Sequence, residues 1–405
     1  MYKTALLDNG IRIIHKCVDS DVAHCGIIIN TGTRDESDNQ FGIAHLTEHM
    51  LFKGTKKRRA FHVLSRMEDV GGEIDAYTTK EETCISASFL HEFYERAMEL
   101  ISDVLFNSTF PDKEIEKEKE VIIDEINSYK DSPAELVFDD FEDLIYPNHP
   151  LGRNILGDKK SLLKYNGTNI KDFISEKYNT DQMVFCSIGN IKFDKLIRLS
   201  NKYFGVIEAN YRKYNRRIFN TPIVENKRVR KNTHQAHAIL GTYAYSFNDS
   251  KRLPLFLLSN ILAGPGMNSR LNMLLREKRG ISYNIESNYS PYEDTGNFNI
   301  YFGSDKENID YAIELIFKEF ELLKSKKLGP LQLAKAKKQL IGQIAIGSEI
   351  HSNMLLTMGK SYLIYNQVET LKQTIGKVES VSAEQLLEVA NEILEREKFS
   401  SLIYY

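Results

Sequence analysis

His45, Glu48 and His49 stand in the order His-x-x-Glu-His, directly after Gly42-Ile43-Ala44. On a helix turning about 100° per residue, positions i, i+3 and i+4 share one face, so two imidazoles and a carboxylate converge on one point. Such a trio suits a hydrolytic zinc site, with ring nitrogens to hold the ion and an acid to work on water. A site of this kind uses three protein ligands and keeps one position open. Glu48 is therefore either the third ligand or the general base, and its projection from the same turn as both histidines favours the base. The third ligand must come from elsewhere. Glu125, 76 residues beyond His49 (125 − 49 = 76), is the best candidate. Glu118 lies seven residues before it, two helical turns, so both acids share a stripe with Ile115, Ile122, Ile126 and Tyr129. Carboxylates along an apolar face are costly unless paired or metal-bound. Glu118 is too far along the helix to reach the same ion and better suits accepting a proton from a ligand imidazole, which fixes the ring's tautomer.

The elements that must position these residues follow from turn signals and periodicity. Strands are expected over 3–7 and 11–16, joined through Asp8-Asn9-Gly10, and over 23–29. The His-x-x-Glu-His helix runs from about Ile43 to Lys53 and stops at Gly54. A helix near 62–68, a strand pair over 73–89 and a helix over 93–105 come next, and a further helix opening at Pro111 carries Glu118 and Glu125. From 206 to 232 the periodicity fades into basic and polar residues, read as a solvated connector; the basic run 53–59 is read as solvated too. The expected domains are 1–205 and 233–405.

The chain then repeats itself. Residues 111–125 align with 329–343 at an offset of 218, pairing Ile115 with Leu333, Lys117 with Lys335, Ile122 with Leu340 and Ile123 with Ile341. At that offset Glu118 faces Ala336 and Glu125 faces Gln343, so the second copy keeps the helix and lacks both acids. The second half also offers a helix over 268–279, at the place of the His-x-x-Glu-His helix, and it holds no histidine.

Bulk properties narrow the class. A chain of 405 residues suits two domains of about 200 residues each. A hydrophobic content of 42% with 27% charged residues describes a globular protein with a sizeable core. The 53 Lys+Arg against 56 Asp+Glu give a net charge of −3, too balanced for nucleic acid as the main partner. No apolar stretch of 18 residues and no signal-peptide pattern stands out, so no membrane role and a cytoplasmic location are expected. Cys17, Cys25, Cys84 and Cys186 form no CxxC pair and are expected as buried free thiols.

The stretch Gly42 to Thr55 resembles the core signature of the inverzincin metallopeptidases, the family of pitrilysin, insulin-degrading enzyme and the mitochondrial processing peptidase. Glu118 to Glu125 resembles the segment holding that family's third ligand, and Gly71 to Thr78 its substrate-binding edge strand, with Asp75 where the family usually has Asn. Arg276 and Tyr283, seven apart, fit the family's arginine and tyrosine pair, which can bind a substrate carbonyl and stabilise an oxyanion.

The resemblance implies an α+β fold of two structurally similar domains, each a mixed sheet packed with helices. It implies one zinc ion per subunit on His45, His49 and Glu125, with Glu48 as base. It also implies a peptide substrate added as a strand along Asp75, Ala76, Tyr77 and Thr78, and a homodimer enclosing a chamber in which one subunit's zinc domain faces the other's Arg276 and Tyr283. Two rivals stand beside this expectation: a catalytic subunit needing a zinc-less homologous partner, and a non-catalytic scaffold on the same fold.

Overall fold

The computed structural model describes residues 2–231 and 233–405; Met1 and Asn232, the last residue of the expected connector, lie outside it. Two compact units divide the chain. The first comprises Met1–Asn127, Arg153–Arg216 and Ile346–Thr370, the second Ser128–Gly152, Arg217–Ala345 and Leu371–Tyr405.

In the first unit, β1 (Tyr2–Leu6), β2 (Arg12–Cys17), β3 (Val22–Ile29), β4 (Glu73–Thr78), β5 (Thr83–Leu90) and β6 (Met183–Gly189) form one sheet in the order β1-β2-β6-β3-β5-β4. Only β2 and β6 pair in parallel. β3 is apolar at Ala23, Cys25, Ile27, Ile28 and Ile29, all fully buried. Continuous apolarity is what a strand covered on both faces requires. Two helices pack on it, one spanning Tyr94–Phe106 and one spanning His351–Tyr365. The second of these sits tight against the sheet because Gly359 has no Cβ, which would fall 2.6 Å from Ile28 Cδ1.

The second unit holds β7 (Asn226–Val229), β8 (Ala236–Ala244), β9 (Ser282–Pro291), β10 (Gly296–Ser304) and β11 (Ser400–Tyr404) in the order β7-β11-β8-β10-β9. Without β1, the first sheet reads β2-β6-β3-β5-β4, which is the same order strand for strand. The single parallel pair also recurs, β7 with β11 matching β2 with β6. The expectation of two similar mixed sheets packed with helices is met.

The division is not the expected cut into continuous halves. Among the helices α1 (Ile43–Leu51), α2 (Ala60–Glu68), α3 (Tyr94–Phe106), α4 (Asp112–Lys130) and α5 (Pro133–Ile145), the last belongs to the second unit. There Val137 and Phe141 bury against Ile239, Tyr301 and Leu402. In return the helix His351–Tyr365 belongs to the first unit. The exchange obeys the repeat: the chain leaves one unit after Asn127 and the other after Ala345 (345 − 127 = 218), and returns after Gly152 and Thr370 (370 − 152 = 218). Offset 218 therefore relates the crossings as well as the helices.

The expected solvated connector is corrected too. Its last part forms β7, and its Arg-rich part is embedded in the first unit. Arg216 forks onto Asp35, Nε to Oδ1 at 3.0 Å and Nη2 to Oδ2 at 2.9 Å, with the two side chains 5% and 0% exposed. The Tyr214 ring receives Lys177 Nζ at 3.9 Å and the Arg212 guanidinium at 4.7 Å. Basic residues in a run suggest solvation, but here alternate ones find buried acceptors and an aromatic face. Replacing Arg216 with alanine leaves Asp35 charged and buried, and is expected to destabilise the first unit by about 3–5 kcal/mol. Denaturant unfolding checks this. Of the four free cysteines, Cys25, Cys84 and Cys186 are buried as expected, whereas Cys17 at the end of β2 is exposed.

Candidate metal centre

α1 begins where the sequence places it, and the local reason is steric. Gly42 takes a left-handed φ of 83°, and a Cβ there would meet Gly157 Cα at 2.7 Å. Glycine at this position cannot cap the helix with a side chain. Glu36 does so instead, accepting from Gly42 N at 3.0 Å and Ala44 N at 2.9 Å. Burial pushes the Glu36 carboxyl up to about 8, while the two helix N–H donors, Arg153 and Lys80 pull the other way. Ile43, Leu46 and Met50 bury one side of α1 completely, which leaves the histidine face to the site.

On that face His45 Nε2 and His49 Nε2 each lie 3.8 Å from Glu125 Oε2. The three ligand atoms all fall within 4.8 Å of one another. Zinc bonds of about 2.0–2.2 Å put neighbouring donors roughly 3–4 Å apart, so this trio suits a tetrahedral ion with one open position. His45 is also in the right state. Burial, reinforced by His49, lowers the His45 pKa to about 3, so its ring is neutral with a free lone pair. Burial raises the Glu125 pKa, opposed by His49. At 3.8 Å neither ring nitrogen is close enough to the Glu125 oxygen for a hydrogen bond, and a cation between them would join all three. The residues fit the metal.

Glu118 does what its spacing suggested. Its Oε2 lies 3.1 Å from His49 Nδ1, which places the ring proton on Nδ1 and turns the Nε2 lone pair towards Glu125. The other oxygen, Oε1, pairs with Lys53 Nζ at 2.6 Å. Lys53 therefore departs from the solvated reading of the basic run 53–59. It stands two residues beyond the end of α1, so helical spacing does not place it; the ion pair with Glu118 does. Buried Glu118 thus links two partly exposed partners, Lys53 and His49. Replacing Lys53 with methionine frees Glu118 to turn from the ring, and zinc affinity is expected to fall about tenfold. A chelator-competition titration measures it.

Glu48 is half-buried beside this trio, and burial raises its pKa, with Thr78 and His49 lowering it and Asp75 and Glu125 adding to the rise. β4, at the end of the sheet order, packs against α1. Asp75 is exposed and accepts from Ala76 N at 2.9 Å, and Thr78 is buried. Tyr77 turns its ring into the cluster of Ile14, Ile28 and Leu355 and its hydroxyl towards Glu82 at 3.3 Å. What β4 offers a ligand at that position is its backbone edge.

Arg276 and Tyr283 belong to the second unit. Tyr283 is 74% exposed near the start of β9, an edge strand like β4. Arg276 lies in a π-helical segment, Asn272–Glu277, that packs against β9, so the α-helix expected over 268–279 is correct in place and wrong in winding. π-turns within helices gather at functional sites.

Comparison with known proteins now decides the family. Residues 13–159 match Insulinase (Peptidase family M16), and residues 164–340 match the Peptidase M16 inactive domain. An uncharacterized zinc protease of Bacillus subtilis, YmxG, is 32% identical over the whole chain and 98% of its own length. The chain belongs to the M16 peptidase family. An uncharacterized zinc protease of Rickettsia felis is 29% identical, over 99% of this chain and 97% of its own. Two crystal structures share the fold. A protease from Helicobacter pylori superposes with a TM-score of 0.90 at 21% identity, covering 100% of this chain and 99% of its own. A peptidase M16 inactive domain from Pseudomonas fluorescens gives 0.92 at 19% identity, covering 100% and 98%. The match to an inactive domain covers Ala336, which stands where the first copy has Glu118. Among the described residues no helix is long and apolar enough to cross a membrane.

Proposed function

We propose that this M16 family member is a zinc-dependent endopeptidase that cleaves short or unfolded peptides inside a chamber formed by a homodimer, with one zinc ion per subunit. The observation that carries the proposal is the convergence of His45, His49 and Glu125 with Glu48 on the same turn, beside the open edge of β4. Zinc bound there supplies Lewis acidity, polarising a carbonyl and making water a better nucleophile at neutral pH.

The protein's own groups do the rest. A peptide added to the edge of β4 is fixed by main-chain hydrogen bonds, with its scissile carbonyl held over the histidine face of α1. Glu48 takes a proton from the attacking water as the C–O bond forms. It returns that proton to the amide nitrogen as the C–N bond breaks, so acid and base are one residue. Tyr283 and Arg276, contributed by the other subunit, donate to the carbonyl oxygen as charge builds on it. Glu118 and Lys53 hold the His49 ring in one tautomer throughout.

A processing subunit dependent on a zinc-less partner is disfavoured because one chain carries both the ligand set and the Arg276/Tyr283 pair. A scaffold has no use for four converging groups with a capped helix beneath them. Digesting a mixed peptide library with the protein expressed alone, with and without chelator, tests the reading. Cleavage that stops on chelation and returns with zinc supports it. Absence of cleavage from zinc-loaded protein overturns it.

A further inference from the structure

α1 carries both imidazoles and Glu48, yet its first turn is built on a glycine that offers no cap. The cap comes from Glu36, six residues upstream and 4% exposed, whose two carboxylate oxygens each take one backbone N–H, from Gly42 and from Ala44, the residue before His45. An acid at a helix N-terminus also complements the partial positive charge there.

The turn that presents Glu36 is itself fixed at several points. Thr33 N donates to Thr79 O at 3.0 Å and Arg34 N to Lys80 O at 2.7 Å, so the turn hangs on the two residues that follow β4. Asp35 accepts from Gly32 N at 3.0 Å and is gripped by Arg216. Arg34 pairs with Glu81 at 2.6 Å. Arg153 Nη1 reaches the Glu36 carbonyl at 3.3 Å. One short segment therefore bonds by its backbone to the end of the edge strand, and by one side chain to the start of the metal-bearing helix.

We infer that Glu36 is a positioning residue: it sets the N-terminus of α1 against the end of β4 and thereby places the His45 and His49 rings with respect to Glu125 and to a bound peptide. Glu36 touches neither metal nor substrate. Its effect passes through the backbone of Ala44, one peptide bond from His45. The inference deepens the zinc-peptidase reading and rests on it only where turnover is the readout, since metal binding can be read without turnover.

Glu36→Gln is the sharpest probe. Glutamine keeps the volume but offers one acceptor oxygen where two N–H groups need one each, so its NH2 opposes a helix donor. Glu36→Asp keeps the carboxyl group with both its oxygens but is one methylene short. In the full-length protein loaded with cobalt, both variants are expected to shift the visible absorption of the Co2+ site, with the larger shift in Gln. Both are expected to weaken zinc binding, about tenfold in Gln, and to lower kcat by more than they change KM. A control equally lowered in melting temperature but remote from α1, such as Leu199→Ala, is expected to leave the cobalt spectrum unchanged.

Folded Glu36→Gln protein with the parent's cobalt spectrum and zinc affinity overturns the inference. So does failure of both variants to fold, which assigns Glu36 to the fold alone. Peptide turnover absent from the parent while the cobalt spectrum still shifts in the variants overturns the peptidase reading and leaves the positioning role standing.

Discussion

Glu48→Gln is expected to abolish peptide cleavage, by about a thousandfold or more, while zinc content and affinity stay at the parent level. The separation follows from geometry. Three other groups, His45, His49 and Glu125, supply the converging ligand atoms, so removing the Glu48 charge leaves the donor set complete. Glutamine keeps the shape and loses the ability to carry a proton from water to the leaving amine. General acid–base catalysis by one group contributes about 10²–10⁴-fold, and here one group serves both steps. Burial already lifts the Glu48 pKa, which suits a group that must accept a proton and give it back. Metal analysis beside steady-state rates checks the prediction: turnover at the parent rate removes Glu48 as the base, and lost zinc makes it a ligand instead. Glu125→Gln gives the complementary result, with zinc affinity and turnover falling together.

Spacing within one helix made half of this site legible. The i, i+3, i+4 pattern at His45, Glu48 and His49 and the seven-residue step from Glu118 to Glu125 are local consequences of helical geometry, and both acids fall where that geometry predicts. The offset of 218 made the second half legible as a copy of the first, and Ala336 and Gln343 stand in that copy in place of the two acids. What the sequence did not disclose depends on contacts between distant segments. Glu36 caps a helix six residues away across an irregular turn, and no periodicity marks it. Arg216 looks like any residue of a basic run until Asp35 is placed beneath it. Assignment of α5 and of the helix His351–Tyr365 to opposite units is invisible to pattern, because an amphipathic helix buries its face equally well on either sheet. Lys53 is a similar case. It lies past the end of α1 in a basic run, and only the fold brings it to Glu118 on α4.

A mixture of two inactive variants is expected to recover activity. On the proposed mechanism Tyr283→Phe removes a donor to the developing oxyanion, a loss of about 10²–10³-fold, while Glu48→Gln removes the base. If each site takes its zinc face from one subunit and Tyr283 from the other, a dimer of one Glu48→Gln and one Tyr283→Phe chain has one site with both defects and one with neither. Random pairing of equal amounts gives roughly half heterodimers, each with one intact site of two. Recovered turnover is then about a quarter of the parent rate, well over a hundredfold above the Glu48→Gln homodimer. The arithmetic also separates the rival arrangement. Were each site completed within its own chain, every site in the mixture would carry one defect, and mixing would add nothing to the two residual rates. Refolding the variants together, isolating the heterodimer by two different affinity tags and assaying it on a cleavable peptide decides the matter. Verified heterodimer without recovery refutes the shared site, and recovery near half the parent rate in the purified heterodimer establishes it. The exposure of Tyr283, 74% of its surface on an edge strand, is the property such sharing needs. A phenol that served only its own unit's core would have been buried there, as Tyr404 is.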